Sequence, residues 1–124
     1  PGVTPAMLAY ATMEGVAFQI ADCVAAQGAA GVAIGPVTLV GGGTRSGLWV
    51  RLIATALNAG VRLAARSDLA GPMGAARLAA VAGGAGIDTL ALPAAIAAAV
   101  APDPALAQAM PARRAAFDAL LGAG

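Results

Sequence analysis

Pro36-Val37-Thr38-Leu39-Val40-Gly41-Gly42-Gly43-Thr44-Arg45-Ser46-Gly47-Leu48-Trp49 is the stretch from which the fold is read. Its first five residues form a short β-branched run closed by three glycines, the pattern of a buried strand entering a tight loop. Ser46 is a candidate helix cap, because Leu48, Trp49, Leu52, Ile53, Ala56 and Leu57 then recur at helical spacing. Asn58-Ala59-Gly60 ends that helix, and Val61-Arg62-Leu63-Ala64-Ala65 reads as a second strand with Arg62 on a polar face.

Upstream, Thr4-Pro5 is a helix start, a hydroxyl cap followed by proline at the first helical position. Apolar residues from Met7 to Val24 carry the helix through roughly six turns, and Gly28 and Gly31 punctuate its end. Downstream, Gly71-Pro72 opens a third helix running through Met73 and Leu78 to Gly83-Gly84. The tail from about residue 88 to 124 reads as helical: one helix from Pro93 to Ala101, then another from Pro104 or Pro111 to Leu121. The order helix, strand, helix, strand, helix belongs to an α/β architecture with short parallel strands covered by helices. Two strands make a poor sheet, and nothing else in the chain reads as a strand. The chain is therefore expected to be a piece of a larger domain, its missing strands lying earlier in a parent chain or in another copy.

Composition narrows the function classes. Of 124 residues 60% are hydrophobic, only 10% are charged and mean hydropathy is +0.82, which excludes a disordered chain. Alanine alone supplies 37 residues, so the core must rest on close packing of small side chains with a few Leu, Val and Ile. Seven arginines against six acids give a net charge of +1, no electrostatic footprint for nucleic acid or an acidic membrane surface. The charge-free window Cys23 to Thr44 is long enough to span a bilayer, but six glycines and Pro36 interrupt it. No signal peptide is read at the start. With Cys23 as the only cysteine and no histidine, neither an internal disulfide nor a zinc site is expected, and a reducing, cytoplasmic setting follows.

The glycine loop carries the one chemically suggestive pattern. Glycine lets backbone approach a ligand, and a helix entrance presents unpaired N–H groups to an anion. No Gly-Lys-Ser/Thr follows, so it is not a Walker A loop, nor does it fit the Rossmann fingerprint. By itself the motif is a weak signal, and a tight strand-to-helix turn is the better reading of it.

Glu14-Gly15-Val16-Ala17-Phe18, then Val37 to Trp49, then Gly71-Pro72-Met73-Gly74-Ala75-Ala76-Arg77-Leu78-Ala79, in this order and spacing, resemble the C-terminal domain of the FGGY carbohydrate kinases. The likeness covers residues 2 to about 85 well and the tail loosely. Within the family it leans to the xylulose-phosphorylating members, helped by Arg113-Arg114 and Phe117. The resemblance implies the C-terminal portion of an actin-like, ribonuclease-H-like ATPase domain. It further implies ATP and Mg2+ as cofactors, a sugar substrate, and transfer of phosphate to D-xylulose to give D-xylulose 5-phosphate. Gluconate, ribulose or glycerol as the substrate, or a non-catalytic interaction fragment, are the alternatives. Carried over by position, Gly41, Gly42, Gly43, Thr44, Ser46 and Gly47 are the ATP-binding residues. Close packing of the Gly74 helix beside the nucleotide cleft is a second implication. The family's catalytic aspartate, most Mg2+ and phosphate contacts and the sugar site have no counterpart here. The chain by itself is expected to be inactive, to partner the rest of the kinase chain and to be prone to self-association.

The remaining reactive side chains read as structural. Glu14 has no acid–base partner in view and suits a hydrogen-bonded role; Asp22 suits a solvated or paired one, and Asp68 a cap or turn. Trp49 among Leu48, Leu52 and Ile53 reads as core, Arg45 as surface, Cys23 as a buried apolar residue, and Arg113-Arg114 as a solvated helix face.

Overall fold

Thr4 Oγ1 accepts a hydrogen bond from the Met7 amide at 3.3 Å, starting the 25-residue helix α1 (Pro5–Ala29). The structure, a computed structural model, describes residues 2–91 and 93–122. After α1 come β1 (Thr38–Leu39), α2 (Gly47–Ala56), β2 (Val61–Ala64), α3 (Ala70–Ala82), β3 (Ile96–Val100) and α4 (Pro104–Leu121). β1 and β2 pair in parallel, with Thr38 opposite Arg62 and Leu39 opposite Leu63.

The third strand corrects the sequence expectation. Residues 96–100 fall inside the helix expected from Pro93 to Ala101, yet they pair antiparallel with β2, Val61 opposite Val100 and Leu63 opposite Ala98. Helix propensity differences are small, whereas an unpaired edge of β2 would leave backbone donors and acceptors unmet. Pro93 and Pro102 bracket the segment, and Ile96 and Val100 supply β-branched ends. The sheet is thus mixed, in the order β1-β2-β3.

α4 takes the earlier of the two expected starts. Asp103 caps it, its Oδ1 accepting from the amides of Ala105 (2.9 Å) and Leu106 (3.4 Å), and Pro111 lies inside the helix instead of breaking it. Pro111 has no N–H to give a carbonyl one turn earlier, so α4 continues through it with one backbone hydrogen bond fewer.

The core lies where α1, α2 and α4 meet the sheet: Ala17 and Phe18 from α1, Val50, Leu52, Ile53 and Ala54 from α2, Val61 from β2, and Met110 from α4. Leu52, Val50 and Val61 are its largest fully buried side chains. Thr55 is the polar member. Its hydroxyl donates to the Arg51 carbonyl at 2.7 Å and accepts from the Asp103 amide at 3.0 Å, while Arg51 Nε lies 3.5 Å from Asp103 Oδ2. One hydroxyl therefore joins the end of α2 to the start of α4.

Arg113 is exposed and Arg114 half-buried, so the expected solvated face holds in part, but both side chains also pair with neighbouring groups. Arg113 donates to Glu14 Oε1 at 2.8 Å and lies over the Tyr10 ring at 5.1 Å. Arg114 donates to Asp22 Oδ1 (2.7 Å), Asp118 Oδ1 (2.8 Å) and the Phe18 carbonyl (3.4 Å), beside Phe18 and Phe117, whose ring centroids are 5.3 Å apart. Hydrogen bonds to these carboxylates push both guanidinium groups further above their ordinary range; burial, then the Glu14 charge, raises the Tyr10 phenol. Glu14 and Asp22 thereby take the structural roles expected of them. Cys23 departs from expectation: it is exposed on α1, because Phe18 and Ala17 take the inward positions.

α3 carries Met73 and Leu78 with half or more of their surface exposed, and buries none of its described residues. A side chain added at Gly74 would meet nothing within 4 Å, so the close packing expected of this helix is not found among the described residues. No helix among the described residues is long and apolar enough to cross a membrane.

Thr55→Val keeps the shape but leaves the Asp103 amide without its acceptor, which should cost about 1–3 kcal/mol in urea unfolding; an unchanged midpoint contradicts the junction described here. Arg114→Met should cost roughly 1 kcal/mol. Relative to the parent, hydrogen exchange should quicken more in α4 than in the sheet, and an equal change in both would count against the Arg114 bridge from α4 to α1.

Candidate functional site

Parallel pairing of β1 with β2 sets the end of β1 against the segment following β2. The Gly41 amide donates to the Ser67 carbonyl at 2.9 Å, and Gly41 sits at φ 93°, ψ 175°, a conformation essentially reserved for glycine. A single 3-10 turn, Gly42–Arg45, follows and leads directly into α2. It is closed by the Thr44 amide on the Gly41 carbonyl (3.2 Å) and the Ser46 amide on the Gly43 carbonyl (3.0 Å).

Side chains complete the loop. Thr44 Oγ1 donates to the Gly41 carbonyl at 2.8 Å and lies 2.7 Å from Ser67 Oγ. Ser46 Oγ accepts from the Trp49 amide at 3.3 Å, capping α2 as expected and leaving its own proton free to donate. A Cβ at Gly43 would stand 3.1 Å from Trp49 Nε1, so the indole lies against this backbone. Trp49 is accordingly half-buried, packing on the core with one face and bordering the loop with its ring nitrogen.

All six candidate residues, Gly41, Gly42, Gly43, Thr44, Ser46 and Gly47, fall on one continuous bend. Gly42, Gly43, Ser46 and Gly47 are exposed, and Gly41 and Thr44 half-buried. The bend is thus open to solvent, with its backbone bare of side chains at Gly42 and Gly43. Beside it lies a cleft of about 510 Å³, walled by Val40, Arg66 and Ser67 on one side and Met73, Gly74 and Arg77 on the other.

Asp22 is taken up by Arg114, and Asp68 lies in a 3-10 turn, Ser67–Leu69, as expected of a turn residue. No group of three or more His, Cys, Asp or Glu side chains able to hold a metal exists among the described residues. The donor set here does not fit a Mg2+ ion, whereas a bare, open glycine bend fits the approach of a nucleotide. Ser67 is the loop residue that sequence reading passed over. It lies 23 positions from Thr44, and only strand pairing brings the two together.

Residues 1–83 match the FGGY family of carbohydrate kinases, C-terminal domain. The xylulose kinase of Escherichia coli (strain K12) is 37% identical over 78 residues, which is 63% of this chain and 16% of that protein. The crystal structure of a xyloylose kinase from Brucella ovis superposes with a TM-score of 0.78 at 38% identity, covering 98% of this chain and 25% of the other. For the xylulose kinase from Rhodospirillum rubrum the TM-score is 0.66 at 32% identity, covering 90% and 23%. The chain therefore spans a quarter or less of the length of these relatives. The fold is a portion of the actin-like, ribonuclease-H-like architecture of the sugar kinases. The triglycine bend between parallel strands lies within the matched residues, and the chain belongs to the FGGY family of carbohydrate kinases.

Proposed function

We propose that this chain forms the ATP-binding side of a carbohydrate kinase that phosphorylates D-xylulose to D-xylulose 5-phosphate. The observation that carries the reading is the open triglycine bend at the end of a parallel strand, in a chain of this family. Phosphoryl transfer needs positioning and charge stabilisation more than covalent help from the protein. Here the bend offers backbone at Gly41 to Gly43, with Thr44, Ser46 and Gly47 around it, to the nucleotide. D-xylulose is preferred because the relatives are xylulose kinases.

The catalytic base, the sugar site and the residues holding Mg2+ belong to the remainder of the kinase chain, which also covers the exposed apolar surfaces of α1 and α3. A cytoplasmic setting accords with the single cysteine.

ATP titration tests the reading. Binding should change the fluorescence of Trp49, the single tryptophan, and shift amide resonances of residues 41–47 ahead of all others. Shifts confined to α1 or α4 contradict it, and xylulose phosphorylation by these 124 residues alone contradicts the division of labour. Gly41→Ala should cost about 1–3 kcal/mol of stability, since alanine is strained at this φ and ψ. It should also weaken ATP binding; a variant as stable and as tightly bound as the parent argues against the bend as the contact.

A further inference from the structure

A hydroxyl has one proton to give. Thr44 spends its proton on the Gly41 carbonyl, which can only accept, at 2.8 Å. The 2.7 Å contact between Thr44 Oγ1 and Ser67 Oγ must then run from Ser67 as donor to Thr44 as acceptor. The result is a directed relay, Ser67 to Thr44 to the Gly41 carbonyl. In parallel with it, the Ser67 carbonyl takes the Gly41 amide at 2.9 Å. Ser67 thus holds both ends of the glycine bend, its main chain at Gly41 and its side chain at Thr44.

The backbone before Ser67 is arranged for this. Arg66 has φ 55° and ψ 42°, a left-handed conformation that costs a non-glycine residue about 1–2 kcal/mol. Its neighbour Ala65 is tied to the Ala95 carbonyl at 2.7 Å. The kink turns the chain out of β2 so that Ser67 faces the end of β1. Strain held by its surroundings next to an open bend points to a functional constraint there.

We infer that Ser67 is a positioning residue for the nucleotide loop, acting through Thr44, and that the Thr44 hydroxyl braces the loop instead of donating to the ligand. The inference rests on the nucleotide reading for its functional half and on hydrogen-bond geometry for its structural half. Ser67 also walls the adjoining cleft, so the relay joins that cleft to the bend.

Ser67→Ala keeps the main-chain bond and removes only the relay; Ser67→Thr keeps the donor. Two readouts on the whole chain separate the two halves. In the free protein, Ser67→Ala should speed amide exchange at Thr44 and Ser46 by roughly three- to tenfold, the equivalent of one hydrogen bond, with a fall in melting temperature of only a few degrees. Ser67→Thr should restore the parent rates. With ATP, Ser67→Ala should weaken binding by a similar factor and Ser67→Thr should recover it. Unchanged loop exchange in Ser67→Ala overturns the brace whatever ATP does. A loosened loop with unaltered ATP affinity overturns the positioning role. If none of the proteins binds ATP while the loop loosens only in Ser67→Ala, the brace is upheld and the nucleotide reading fails.

Discussion

The parallel pairing of β1 with β2 is the constraint on which the rest depends. It is only two residue pairs long, Thr38 with Arg62 and Leu39 with Leu63, yet it fixes where both strands end. Because parallel strands finish on the same side of a sheet, the glycine bend after β1 meets the turn after β2. The Gly41 amide then finds the Ser67 carbonyl, and Thr44 finds Ser67. Ligand sites of α/β sheets form at this side of the strands for the same topological reason. An antiparallel partner would have placed a different loop beside the bend.

So short a pairing persists because helices hold it from one side. α2 lies on the sheet through Val50, Leu52 and Ile53; α1 and α4 hold α2 through Phe18 and Met110. The alanine-rich composition leaves little area to bury per residue, and polar links join α1 to α4 beside the Phe18–Phe117 contact. Arg113 and Arg114 bridge from the last helix to the first through Glu14, Asp22 and the Phe18 carbonyl, each guanidinium also covering an aromatic ring. Among the described residues α3 buries none of its own, and its exposed Met73 and Leu78 accord with a chain that spans a quarter or less of its relatives.

Local signals in the sequence reached as far as local physics does. Thr4-Pro5 and Ser46 are caps whose hydrogen bonds fall within three residues, so both helix starts were legible. The triglycine run could be placed between a strand and a helix for the same reason. Ile96–Val100 was not legible as a strand, since its alanines favour helix and the deciding force is the open edge of β2, more than thirty residues away in the chain. The exposure of Cys23 and the pairing of Arg113-Arg114 with α1 have a related cause: which face of α1 or α4 turns inward is settled where Phe18 meets Phe117, not by either helix alone. Ser67 carried no signal at all, because a serine beside Asp68 before a helix suits an ordinary turn.

The proposed nucleotide contact is the glycine bend and not the cleft of about 510 Å³ beside it. A crystal structure of this chain with a non-hydrolysable ATP analogue tests it most directly. The adenosine-phosphate moiety should lie against the backbone of Gly42 and Gly43, with the Thr44–Ser67 hydrogen bond intact. Nucleotide seated instead between Val40 and Met73, with the bend untouched, would contradict it.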